Sequence, residues 1–228
     1  MLISWIVVLV MALVVFGFRF PLFSRSYVKP LTDEQAIKLF LRLKRWRQPD
    51  VDMMVANYRR YASDLDYTGP VFWKVKAGYT LKKHAARNRD TWHKLYYVRD
   101  WPIVNDEPTK DSIVFWVPRF VRGSTDKDVP QMMKLKAELR LRYDLPGHRG
   151  SGFGSAALLS ALILAHYKLT GERVPLQCQY AASDTVHQDG FRLNGGGFRE
   201  SGLIISYWGG YAHANVGFFL LDMEELES

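Results

Sequence analysis

One cysteine, Cys178, is present in 228 residues. That excludes an intramolecular disulfide and any zinc centre built on several thiolates, and it fits a reducing compartment. No Asn-x-Ser/Thr sequon occurs. No two of the six histidines stand at His-x-x-x-His spacing, so a metal site would need ligands gathered from distant parts of the chain. No repeat is evident, which removes solenoids and propellers. Positions 1–18 contain no charged side chain.

That uncharged run, "MLISWIVVLVMALVVFGF", ends at Arg19. As a helix it spans about 27 Å at 1.5 Å per residue, against about 30 Å of hydrocarbon core. A cleaved secretory signal would carry a basic start and a small-residue cleavage site, and neither is present. The run therefore predicts a retained transmembrane anchor. Arg19, Arg25, Lys29, Lys38, Arg42 and Arg45 all follow it, so the positive-inside rule places the body in the cytoplasm, at the plasma (inner) membrane. Residues 19–31, with two prolines, read as an interfacial linker, and 32–228 as one cytosolic domain.

The remaining charge is uneven. Residues 151–228 hold four basic and eight acidic side chains, a net of −4, which leaves +12 on the first 150 residues of a chain whose total is +8. A basic half beside an anchor points to an anionic leaflet, with the six cations named above as its lipid-facing residues. The patch "KKHAARNRDTWHK" offers nucleic acid a second basic surface. No recognised binding module accompanies it, and the membrane supplies a nearer anion, so nucleic acid ranks below lipid and protein as a partner.

Thr32 with Gln35 forms a capping-box pattern, and Ala36, Leu39, Phe40 and Leu43 fall on one helical face, with Lys38, Arg42 and Arg45 on another. Pro49 is expected to end that helix and Asp50 to cap a second. Thr80–Lys94 is compatible with a helix, "LYYVRDWPIV" and "SIVFWVPRFV" with strands, and Pro118 is expected to demote the latter to an edge strand or a broken one. "GSTDKDVP" reads as a loop before a helix over "QMMKLKAELRLRY". Short β-type runs follow, with Asn194-Gly195 a hairpin signal. The fold class is α+β: a single N-terminal transmembrane helix, then a soluble domain with helices first and an antiparallel sheet toward the C-terminus.

"LPGHRGSGFGSAALLSALILAHY" places four glycines in front of a long apolar run. Backbone N–H groups at a helix start, with Arg149 beside them, could hold a phosphate. The Walker loop is excluded for want of a lysine, and Gly150, Gly152 and Gly154 give G-x-G-x-G rather than the dinucleotide spacing. A nucleophile elbow requires glycines two before and two after a serine, and neither Ser151 nor Ser155 has them. The simpler reading has Ser151 or Ser155 capping a buried core helix over Ala156–Ala165, closed by Gly171. "SDTVHQDG" is the densest polar cluster and reads as a loop between strands.

Two functions follow. The first is a membrane-anchored interaction module, a regulatory, inhibitory (immunity-type) or accessory subunit that engages another protein and presents an exposed aromatic patch. The second is an enzyme acting on a phosphorylated or nucleotide-like ligand, with the Gly147–Ser155 and Ser183–Asp189 segments converging. Its candidate ligand contacts are His148, Arg149, Gly150, Ser151, Gly152, Ser155 and His187. No residue is assigned a catalytic or metal-binding role, and no cofactor is implied.

Overall fold

The computed structural model describes residues 26–43, 45–91, 106–146, 152–175 and 178–226. The expected anchor, Arg19, Arg25, the "LYYVRDWPIV" run and residues 147–151 of the glycine stretch lie outside that set. Among the described residues, no helix is long and apolar enough to cross a membrane.

Among the described residues the architecture is α+β with two four-stranded sheets. The first sheet contains β1 (Val28–Leu31), β2 (Phe72–Val75), β3 (Ser112–Phe120) and β8 (Phe219–Glu225), in that order and antiparallel throughout. The second runs β6 (Gly202–Trp208), β5 (Arg192–Arg199), β4 (Tyr180–Val186) and β7 (Val216–Gly217). It is antiparallel except where β7 joins β4 in parallel. A strand thus precedes the helices, and the sheet is not confined to the C-terminal part.

The helices are α1 (Asp33–Arg42), α2 (Gln48–Asp64), the single turn α3 (Leu81–His84), α4 (Val129–Tyr143) and α5 (Ala156–Thr170). The Thr32–Gln35 capping box forms as expected, and Asp128 builds a second one with Gln131 at the start of α4. Pro49 opens α2 instead of closing α1. The first turn leaves backbone N–H groups unused, so a proline costs nothing there, and Leu43 has already ended α1 in an extended conformation. Arg45 consequently lies beyond the helix and pairs with Glu224 of β8, while Lys38 and Arg42 remain exposed on α1 and Lys29 on β1. The basic segment from Thr80 holds only α3 and a 3-10 turn through Arg87 before Asn88 leaves the helix.

Both faces of the first sheet are covered, so neighbouring residues of one strand enter different cores. Phe72 and Phe115 face α1, α2 and α4, whereas Trp73 and Trp116 face α5. The α5 helix lies between the two sheets, with every residue from Ala156 to Leu164 buried. This accounts for a sequence that is apolar all round instead of striped. Each buried leucine or isoleucine in it contributes roughly 1.5–3 kcal/mol. Ser155 caps the helix and Gly171 ends it in the left-handed conformation.

Tertiary context decides two sequence readings. Pro118 does not make β3 an edge, since β3 lies between β2 and β8, but it does fall at a break: the β3–β8 register shifts between Trp116 and Phe120. An irregularity there tolerates the missing donor. Asn194-Gly195 does not turn: both residues are paired on one side with β4 and on the other with β6, and the ladders override the local preference.

Candidate functional site

The glycine stretch enters α5 through Gly152, Phe153 and Gly154. Gly154 N–H donates to Asp184 Oδ2 at 2.9 Å, Ala156 N–H to Thr185 Oγ1 at 2.9 Å, and Leu158 N–H to Ser155 Oγ at 3.1 Å. Three donors that a phosphate would seek are thus taken by side chains of this chain. A carboxylate stands where the anion would sit. The Gly152 backbone presses on the same group: a Cβ there would lie 1.9 Å from Asp184 Oδ2, so any side chain would force that carboxylate to move.

A cavity of about 220 Å³ opens beside this junction, lined by Gly152, Gly154, Ser155, Asp184 and, from before β3, Glu107. His187 does not line it. "SDTVHQDG" divides in half: Ser183–Val186 belong to β4, and His187–Gly190 make the turn toward β5. Ser183 is buried and its hydroxyl donates to Leu193 O at 2.7 Å, within the sheet. Of the candidate ligand contacts, Gly152 and Ser155 meet at the cavity, His187 stands elsewhere, and His148, Arg149, Gly150 and Ser151 lie outside the described residues.

Beneath the junction is a group that sequence reading passed over. Lys136 is 1% exposed, and its ammonium donates to Gly152 O at 2.5 Å and Leu221 O at 2.9 Å. Burial lowers its pKa to about 8, against the opposing pull of nearby Asp222. Asp222, also buried, accepts from Tyr58 at 2.8 Å and pairs with Arg140. Burial, together with the Asp222 charge, raises the Tyr58 hydroxyl well above its usual range. The signal was present in the sequence: Met132, Lys136, Leu139 and Tyr143 share one face of α4, and that face is buried.

His187 belongs to a different surface. Its ring stacks on Tyr207 at 6.4 Å between centroids, and Phe191 lies 5.7 Å from Tyr207. Tyr211 completes the group from the turn after β6, where Trp208 Nε1–H donates to Tyr211 O at 2.7 Å. A Cβ at Gly209 would meet Tyr211 Cε1 at 2.6 Å and Phe191 Cε1 at 3.4 Å, so both rings close over that backbone. Phe191, Tyr207 and Tyr211 are 40%, 57% and 62% exposed. These are three of six large exposed apolar side chains among the described residues, gathered in one place.

No family model, no curated protein and no solved structure matches this chain. Function must therefore be argued from chemistry alone. Among the described residues no group of three His, Cys, Asp or Glu side chains could hold a metal ion. The junction at Gly152 is a structural knot of carboxylate, backbone donors and a buried ammonium. The aromatic surface has large rings, adaptable hydroxyls and one histidine at the water boundary, a composition suited to grasping another macromolecule.

Proposed function

We propose that this protein is a membrane-anchored interaction module, with residues 1–18 in the membrane and the body in the cytoplasm, that engages another protein through Phe191, Tyr207 and Tyr211. The observation that carries the reading is the clustering of those three exposed rings over Gly209 at the β5–β6 end of the second sheet. Aromatic side chains dominate interface energetics because they bury a large area while losing few rotatable bonds. The backbone beneath them is set by a tight turn and a buried Trp208, so the surface is formed before a partner arrives.

The enzyme alternative draws less support. Its glycine stretch and polar strand do meet, but the donors that would hold an anion are occupied by Asp184, Thr185 and Ser155. A regulatory, inhibitory or accessory subunit needs only the surface.

The test is a pull-down of the full-length protein in detergent, with quantification of what co-purifies, for wild type and for Tyr207→Ala/Tyr211→Ala. Each exposed aromatic at the centre of an interface contributes about 2 kcal/mol. The double variant should thus lose its protein partner while its melting temperature stays within about 2 °C of wild type. Retention of the same partner at the same stoichiometry by the variant would rule this surface out.

A further inference from the structure

A second cavity, of about 540 Å³, lies further along α5, toward its C-terminal half, where that helix packs beside β1 and α3. Its floor is apolar, made of Ala161, Leu164 and Ala165 from α5. Its rim is cationic: Lys83, Arg87, Arg89 and Lys168 all line it and all are exposed. Among the described residues, no carboxylate lines it. Two acids stand close by: Asp90, 3.9 Å from an Arg89 that remains largely in water, and Asp106, whose carboxylate is engaged by the Leu81 and Lys82 N–H groups at the start of α3.

The wall is pre-formed. Thr80 N–H donates to His84 Nδ1 at 3.1 Å, which leaves Nε2 to carry the proton toward the Tyr27 hydroxyl, also at 3.1 Å. The His84 ring stacks on Tyr79 at 5.0 Å and meets Tyr27 edge-on at 4.8 Å. Burial, and then the Lys83 charge, lower the His84 pKa, which keeps the ring neutral and in this hydrogen-bonded arrangement near pH 7. An apolar floor, an aromatic wall and a cationic lip demand a ligand with an apolar stem and an anionic head.

We propose that this groove binds one anionic phospholipid, its phosphate on Lys83, Arg87, Arg89 and Lys168 and its glycerol and upper acyl region on Tyr27, Tyr79 and the α5 floor. A soluble phosphate would satisfy the rim and gain nothing from the floor. Location supports the lipid. Ser26 and Tyr27 line the groove, and only residues 19–25 separate Ser26 from the apolar run, at most about 25 Å of extended chain. The proposal rests on the membrane placement of the proposed function, but its test alters only groove and control positions and leaves the anchor and the aromatic surface unchanged.

Full-length protein in a non-ionic detergent is mixed with phosphatidylglycerol or phosphatidylcholine, and bound lipid is counted by native mass spectrometry. One phosphatidylglycerol per chain is expected, preferred roughly tenfold or more over phosphatidylcholine. Lys83→Glu/Arg87→Glu should abolish that preference. Lys134→Glu/Arg142→Glu, the same charge change at exposed positions on α4, should leave it within about twofold. Ala165→Trp, which fills the floor, should weaken the lipid and leave glycerol phosphate unaffected. Equal loss from both charge-reversed pairs would reduce the effect to bulk charge and overturn the proposal. So would glycerol phosphate competing as tightly as the lipid, which would mark a soluble-anion site, or a short single-stranded oligonucleotide displacing the lipid from wild type. The rim substitutions are at exposed positions, so an unchanged melting temperature separates lost binding from lost fold.

Discussion

Lys136 carries its charge inside the protein at neutral pH because two carbonyls, Gly152 O and Leu221 O, receive it and Asp222 stands nearby. Those partners do not fully offset the lost hydration, so its pKa falls from 10.5 to about 8. The sign of the consequence is fixed. Between pH 8 and 10.5 the unfolded chain holds a proton that the folded chain has released, and stability rises with pH wherever the unfolded state binds more protons. From pH 7.5 to 9.5 this one group should add about 2 kcal/mol to unfolding. Above pH 10 the trend reverses, because Tyr67, raised mainly by burial to about 12, stays protonated in the folded state while its unfolded counterpart ionises. Urea unfolding at pH 7.5 and 9.5 should show the gain in wild type and not in Lys136→Met. An identical pH slope in both proteins would mean that Lys136 is not the titrating group.

At the scale of elements, the junction between β4 and α5 depends on glycine. Gly152→Ala would push a methyl into the Asp184 carboxylate, which cannot withdraw while it accepts from Gly154 N–H and pairs with Arg192 at 3.4 Å. A cost of about 2 kcal/mol is expected from the overpacking. The double variant Gly152→Ala/Asp184→Ala should be less destabilised than the sum of the singles, by about 1 kcal/mol, because the clash and its object disappear together. Additive values would show that the methyl finds room elsewhere. This junction also marks the limit of what could be read from the chain. The capping box at Thr32, the Ser155 cap, the all-apolar α5 and its Gly171 stop are local patterns, and each appears where the sequence puts it. Pro49 is a local matter too, since a proline opens a helix as readily as it closes one. The interior place of Pro118 and the fate of Asn194-Gly195 depend on which strands pair with them, and a single chain read in order does not contain that. The candidate site divides in the same way. The glycine stretch was conspicuous in sequence, and the part described is taken up by side chains of its own chain. The aromatic surface unites residues 191, 207 and 211 only because β5 and β6 fold back on each other.

At the scale of the whole molecule, the proposed anchoring makes charge and topology bear on how the body would meet a membrane. The basic excess of the first 150 residues places Lys29 on β1, Lys38 and Arg42 on α1, and Lys83, Arg87 and Arg89 at the groove, while Arg45 is drawn into an ion pair with Glu224. Two attachments are then expected, an apolar run that spans and a basic surface that leans on anionic lipid, and they respond differently to solvent. A spanning helix resists both high salt and alkaline carbonate, whereas a basic surface lets go as salt screens it over a Debye length of about 10 Å at 0.1 M. The full chain should therefore stay in the membrane pellet through a carbonate wash. A chain starting at Ser26 should bind anionic vesicles at low salt and leave them at about 0.5 M. It should also melt where the full chain does, since every described core residue lies at Val28 or beyond. Release of the full chain by carbonate would end the anchor reading and leave the basic surface as the sole link to the membrane. Release of the full chain by salt alone would do the same. A short chain that stays with vesicles at high salt would instead credit the apolar floor of the groove with more of the attachment than its cationic rim.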